Sequence, residues 1–262
     1  MAPDQASQPA LAIERLDDGA IWRITLGGTK GNILDGRLMS SLSEALTAAV
    51  TDRHLKAIVL EGQGPHFSFG ASVPEHLPAT AAGMLAQFHG LLLQLVDASV
   101  IVLAAVRGQC LGGALELVTL CHRVFAPKDA RFGQPEIVLG VFAPAASVVL
   151  AARVGRGAAE DLCLSGRTIG AEDAFRIGLV DDLTEGDPAD AAMAYARAHL
   201  VPKSASSLRH AVRAVRSDLR ATLPGRLRAV ERLYLDELMA TADAVEGLQA
   251  FLDKRKPAWR DQ

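Results

Sequence analysis

The chain has 262 residues, half of them hydrophobic, so it can bury a sizeable core in one or two domains. Its net charge is −3 with the basic residues dispersed, which argues against nucleic acid or an anionic membrane surface as a partner. The richest apolar run, Val100–Val106, is only strand-length, so no membrane span is expected. Met1–Ala10 is polar, lacks the basic-then-apolar order of a signal peptide, and reads as a flexible tail. Cys110, Cys121 and Cys163 form an odd set without C-x-x-C spacing. They read as free thiols of a cytoplasmic protein, with no disulfide framework and no metal site.

Along the chain, strand and helix patterns alternate. Ala20–Leu26 sets Trp22, Ile24 and Leu26 against Ile21, Arg23 and Thr25, as a half-buried strand does. Asp35–Asp52 carries Leu38, Leu42, Ala45, Leu46 and Ala49 at helical spacing. Ala57–Glu61 reads as a buried strand, and Thr80–Val96 as a helix capped by Thr80. Ile101–Val106 and Arg123–Ala126 read as strands; Gly112–Cys121 and Ala143–Arg153 read as helices. From Pro188 onward the pattern is helical: Pro188–Leu200, Ser204–Asp218, Leu223–Ala240 and Ala242–Leu252. The expected division is therefore tail 1–10, an α/β core 11–187 and a helical region 188–262. That last region has an apolar stripe (Leu227, Val230, Leu233, Tyr234, Leu238) and should pack back on the core or on another subunit.

Two glutamates stand in unusual settings. Glu116 follows a glycine turn in Gly108-Gln109-Cys110-Leu111-Gly112-Gly113-Ala114-Leu115-Glu116. Glu136 lies in Phe132-Gly133-Gln134-Pro135-Glu136-Ile137-Val138-Leu139-Gly140, punctuated by glycine and proline. A strand, a tight glycine turn and a helix start place backbone N–H groups where an oxyanion can bind, and two carboxyls can move protons. That suits chemistry on a carbonyl compound, such as adding water next to a thioester. The G-x-G-x-x-G spacing of a dinucleotide loop is absent, and neither Ser68 nor Ser72 sits in G-x-S-x-G. Cys121 and His122 are sequence neighbours, and neighbours on a helix do not face each other.

Over nearly its whole length the chain resembles the enoyl-CoA hydratase/isomerase, or crotonase, superfamily. The resemblance rests on Gly31-Asn32-Ile33-Leu34, Phe67-Ser68-Phe69-Gly70-Ala71-Ser72, the segment Ala105–Leu117 and the segment Phe132–Gly140. Leu164-Ser165-Gly166, Ala171–Val180 and Glu246–Pro257 continue it, in the same order and spacing. It implies an α/β spiral core of ββα turns with a C-terminal helical oligomerisation region, assembled as a trimer or as a hexamer of two trimers. It implies acyl-CoA thioester substrates, with coenzyme A as part of the substrate and no separate cofactor.

By motif, the resemblance gives the two carbonyl-polarising N–H groups to Ala71 and Gly113. Glu116 becomes the base or water positioner and Glu136 the chief proton donor. Gly70, Ser72, Val73, Leu77, Gly112, Val141 and Phe142 are expected around the acyl group. Ser72 stands where many relatives carry Asp, and reads equally as a pocket contact or a turn residue. Lys254-Arg255-Lys256 reads as a solvated end or a contact for the CoA phosphates. Relatives acting on linear chains usually have a glycine-rich run and Thr-Gln-Arg-Leu after the second glutamate. Here the run is Val141-Phe142-Ala143-Pro144-Ala145-Ala146-Ser147, and two prolines stiffen the loop after Ala71. Both departures resemble a subgroup acting on alicyclic dienoyl-CoA thioesters in anaerobic aromatic breakdown. A generic short-chain enoyl-CoA hydratase, a ring-opening or isomerising relative, and a non-catalytic acyl-CoA-binding scaffold are the alternatives.

Overall fold

The strand Ile21–Leu26 sorts its side chains as its alternation demands. Trp22, Ile24 and Leu26 enter the main core, while Ile21 enters a second cluster on the opposite face of a sheet. A computed structural model describes residues 9–262. In chain order it runs β1 (Leu11–Leu16), β2 (Ile21–Leu26), α1 (Gly36–Thr51), β3 (Ala57–Gly62), α2 (Ala81–Asp97) and β4 (Ile101–Ala105). Next come β5 (Gln109–Leu111), α3 (Gly113–Thr119), β6 (Arg123–Pro127), β7 (Arg131–Gly133), α4 (Pro144–Val154) and α5 (Arg156–Ser165). They are followed by β8 (Thr168–Gly170), α6 (Ala171–Arg176), β9 (Asp182–Thr184) and α7 (Pro188–His199). The chain ends with α8 (Ala205–Val215), α9 (Ser217–Arg232) and α10 (Ala242–Leu252). Short 3-10 turns span Val73–His76 and Pro135–Leu139.

A six-stranded sheet has the order β1-β2-β3-β4-β6-β9, parallel except for the antiparallel edge pair β1–β2. The three-stranded sheet β5-β7-β8 stands apart and carries the two glutamate-bearing segments. One face of the large sheet meets α1 and α2 in the main core. The other face, through Ile21, Val59, Leu103 and Phe125, is covered by Ala189, Ala192, Met193 and Ala196 of α7. The first helix of the C-terminal region is thus part of the core, and α9 packs on α2 and α4. Among the described residues no helix is long and apolar enough to cross a membrane, and no group of three or more His, Cys, Asp or Glu can hold a metal ion.

Several sequence expectations need correction. The five strands β1, β5, β7, β8 and β9 were not foreseen. Four of them have three residues each, too few to show a period of two. Thr80 is at the cap position of α2, but its hydroxyl turns back to the Leu77 carbonyl rather than capping the helix. The break foreseen between 218 and 223 is absent. Instead α9 runs through Pro224 to Arg232 and continues as a π turn, Leu233–Glu237, and a 3-10 turn, Leu238–Ala240. Pro224 is tolerated there although a proline usually ends a helix. Residues 1–8 of the expected tail lie outside the described residues, but Ala10 is buried and its carbonyl accepts the Gly27 N–H at 2.9 Å.

A buried carboxylate helps fix the entry to the small sheet. Glu61 at the end of β3 accepts Arg23 Nε at 2.6 Å and Arg107 Nη2 at 2.8 Å. Arg107 also reaches Asp187 Oδ1 at 2.9 Å, and Asp187 caps α7 through the Ala189 N–H. Arg107 immediately precedes Gly108, where the chain turns into β5, so this network ties the turn to the sheet and to α7. Glu61 is the buried member, and without it Arg23 would lose its close carboxylate partner.

Candidate active site

Two loops bring backbone to backbone. The Phe67–Ala71 segment runs beside β5: the Leu111 N–H donates to the Ser68 carbonyl and the Ser68 N–H to the Gln109 carbonyl, each at 3.1 Å. Gly70 has φ +96°, and a Cβ there would lie 2.6 Å from the Leu111 carbonyl oxygen and 3.3 Å from the Gly113 nitrogen. Only glycine allows that approach. A Cβ on Gly113 would in turn lie 3.3 Å from the Ala71 nitrogen, so the two peptide N–H groups sit side by side. Among the described residues neither N–H has a backbone acceptor. Gly113 opens α3, where the first N–H groups have no intrahelical partner. The arrangement can bind one oxygen atom that carries negative charge.

Sequence reasoning did not single out what holds the first loop. Buried Asn32 has φ +50° and directs its Nδ2 to the carbonyls of Gln63, His66 and Phe67, at 2.9 to 3.0 Å. The buried Ser68 hydroxyl accepts the Gly70 N–H at 3.0 Å. The signal was present: an Asn between turns, and a Ser in an otherwise apolar segment, each able to bond local backbone.

Glu136 packs against Gly112, which stands four residues before Glu116. Gly112 takes φ 54° and ψ −129°, and a Cβ on it would lie 2.6 Å from Glu136 Oε1. Glu116, on α3, is 3% exposed, and its Oε1 accepts the Ala146 N–H at 2.7 Å. Ala146 is in the first turn of α4, so Glu116 occupies that helix's N-terminus, where free N–H groups and the helix dipole favour an anion. Burial pushes the Glu116 carboxyl up to about 7 despite these N–H donors. Glu136 is pushed up to about 8, first by burial and then by the charge of Glu116. Its Oε2 is buried with no hydrogen-bond partner. The pair therefore holds a single proton near neutrality, with the charge favoured on Glu116 and the proton on Glu136.

The remaining expected residues follow Ala71 and Glu136 in the chain. Val141 is buried, its N–H donating to the Glu136 carbonyl at 3.3 Å, and Phe142, Val73 and Leu77 pack partly buried against the main core. Ser72 precedes the Val73–His76 turn, where its carbonyl accepts the Glu75 N–H at 3.1 Å and its side chain makes no cap bond. Helix α10 packs on both the Val73–His76 and the Pro135–Leu139 turns. At Gly247 of that helix a Cβ would lie 2.2 Å from the Leu139 carbonyl oxygen, so α10 fixes the loop that carries Glu136. In the basic end, exposed Arg255 is engaged by Glu246 and Asp253, while the exposed Lys254 and Lys256 have no ion pair among the described residues. The sequence reading also placed Tyr234 in a helical stripe only. It is fully buried against Phe142, with ring centroids 5.3 Å apart.

The family model for enoyl-CoA hydratase/isomerase matches residues 17–262. The chain belongs to the enoyl-CoA hydratase/isomerase family. A cyclohexa-1,5-dienecarbonyl-CoA hydratase of Thauera aromatica is 49% identical to this family member, over 98% of the chain and 99% of the relative. A probable enoyl-CoA hydratase of Rhizobium meliloti is 37% identical, over 92% and 95% respectively. The crystal structure of an enoyl-CoA hydratase/isomerase from Pseudoalteromonas atlantica superimposes with a TM-score of 0.83 at 24% identity, covering 95% of this chain and 99% of that one. The large and small sheets and the C-terminal helices described above are those of the crotonase fold.

Proposed function

We propose that the protein is a hydro-lyase that adds water to a conjugated dienoyl thioester of coenzyme A, with cyclohexa-1,5-diene-1-carbonyl-CoA as substrate. The observation that carries the hydratase reading is the unequal carboxyl pair near two neighbouring N–H groups that have no backbone acceptor among the described residues. One carboxylate is held by the start of α4, and the other is kept protonated by burial and then by the charge of the first. A scaffold that only bound acyl-CoA would need neither. The choice of substrate is supported by the relative from Thauera aromatica and by the apolar Val141-Phe142-Ala143 segment that takes the place of a glycine-rich run.

In this reading the thioester oxygen accepts hydrogen bonds from the Ala71 and Gly113 N–H groups, each worth about 3–4 kcal/mol as charge develops there. Glu116 takes a proton from water as the water oxygen bonds to ring carbon C2, the β-carbon of one double bond. The electron pair moves through C1 to the thioester oxygen and is shared, through the second double bond, with C5. Glu136 delivers its proton to C5. The remaining double bond lies between C1 and C6, and the product, renumbered, is 6-hydroxycyclohex-1-ene-1-carbonyl-CoA. Glu116 has gained the proton that Glu136 lost, and a transfer within the pair restores the starting state. The reaction sites C2 and C5 face each other across the ring, and two adjoining carboxyls on one side can serve both.

The test is a panel of linear and cyclic enoyl-CoA thioesters, with products identified by mass. The cyclic diene should give a kcat/KM at least about tenfold above crotonyl-CoA, the scale of discrimination by apolar shape. A value for crotonyl-CoA equal to or above that for the diene would replace this substrate with a short linear enoyl chain.

A further inference from the structure

Tyr234 carries a buried hydroxyl that neither the packing nor the mechanism above uses. It is 0% exposed, yet its hydroxyl has no hydrogen-bond partner in the structure. A buried hydroxyl without a partner is uncommon and calls for an explanation. The residue lies in the π turn Leu233–Glu237, an irregularity that often marks functional positions in helices. Its ring meets Phe142 edge-on at 73°, placing it at the apolar wall expected around the acyl group. The charges of both Glu136 and Glu116 reach its hydroxyl and, after burial, raise its pKa, so the phenol stays a neutral donor.

Glu136 Oε2 is likewise buried and unpartnered. The two orphaned groups do not bond to each other, and the charge of Glu136 acts on the phenol. An oxygen atom of the bound reactants would satisfy the Tyr234 hydroxyl by accepting from it. We propose that Tyr234 is a further substrate-contacting residue, whose hydroxyl donates a hydrogen bond to the oxygen that is added: first the attacking water, then the new hydroxyl of the product. This rests on the hydration reading, and it assigns to the C-terminal helical region a direct part in the reaction. It also gives the site a means of recognising a hydroxylated acyl group, which an apolar wall alone lacks.

Tyr234→Phe removes only the hydroxyl and keeps the ring against Phe142. Inhibition constants are compared for 6-hydroxycyclohex-1-ene-1-carbonyl-CoA and for cyclohex-1-ene-1-carbonyl-CoA, which differ by that one hydroxyl. The variant should bind the hydroxylated thioester about tenfold more weakly, the scale of one hydrogen bond, and the unsubstituted one within about twofold of wild type. Its melting temperature should equal or exceed that of wild type, because no intramolecular hydrogen bond is lost. The proposal is overturned if both ligands weaken together, if neither weakens, or if the variant melts markedly earlier or fails to fold, which would show a structural hydroxyl. Should wild type hydrate linear enoyl thioesters instead of the ring, the substrate reading fails alone. The comparison of 3-hydroxybutyryl-CoA with butyryl-CoA then judges Tyr234 by the same criteria.

Discussion

Glu116 and Glu136 differ in what surrounds them, and in the proposed reaction that difference divides their roles. Glu116→Gln leaves an acceptor for the Ala146 N–H but cannot take a proton from water; Glu136→Gln cannot deliver one. Each should lower turnover by at least about 100-fold, the scale of losing a general acid or base, while calorimetry with an unreactive CoA thioester shows binding retained. Near-normal turnover in either variant would take that residue out of the mechanism. Gly112 is the residue that makes the pair possible. Gly112→Ala puts a methyl 2.6 Å from Glu136 Oε1 and forces a side-chain-bearing residue into φ 54°, ψ −129°. The carboxyl is the flexible end of a side chain and can move aside, and the backbone strain amounts to about 1–3 kcal/mol. The variant should therefore fold, with circular dichroism like wild type, and lose about 100-fold or more in turnover. Full activity would show that Glu136 need not sit against this turn.

Between elements, the decisive contact is the end-on meeting of α3 and α4 through Glu116. It stabilises one anion in a site that burial otherwise keeps neutral. The proposed reaction needs Glu116 ionised and Glu136 protonated in the free enzyme, so kcat/KM should be bell-shaped, rising near pH 7 and falling near pH 8. These limbs belong to the pair together. Neither Cys163, pushed up to about 12 by burial and then by the two glutamates, nor Tyr234, raised likewise, adds a limb in this range. The same shifts act on stability. Both carboxyls have folded-state values above their unfolded ones near 4.5, so the folded protein keeps protons that the unfolded chain releases. The stability this provides is fully present below pH 4.5 and is lost as pH rises through 7 and 8. The double variant Glu116→Gln/Glu136→Gln, which cannot ionise, should melt roughly 3 °C or more above wild type at pH 8.5, and the gap should close near pH 4.5. A gap independent of pH would contradict this account.

At the scale of the whole molecule, the C-terminal helices both complete the site and leave apolar surface uncovered. Helix α7 seals the second face of the sheet, α10 braces the loop of Glu136, and the turn after α9 brings Tyr234 beside Phe142. Val215 at the end of α8 is 79% exposed and Phe251 near the end of α10 is 54% exposed. Leu164 and Val138, beside the Glu136 loop, are also open to solvent. Apolar surface of this kind suits contact with further copies of the chain. Sedimentation should give a trimer or hexamer, and a stable, active monomer would contradict that expectation.

The sequence by itself determined the family, the large-sheet strands from β2 to β6, and the identity of the two glutamates. These were legible because their signals are local: alternation over six residues, helical stripes, and glycines at fixed distances from a carboxyl. The small sheet was not legible, since three-residue strands carry no periodicity and gain their hydrogen bonds only from neighbours distant in sequence. Nor was the continuity of α9 from Ser217 through Pro224 to Arg232, where a break had been expected between 218 and 223 and where the helix packs on α2 and α4. Tertiary structure alone placed Ala146 over Glu116, Glu136 against Gly112 and Tyr234 against Phe142. Proton affinity in the site depends on burial and on charges brought close by folding, and neither is a property of a residue's neighbours along the chain.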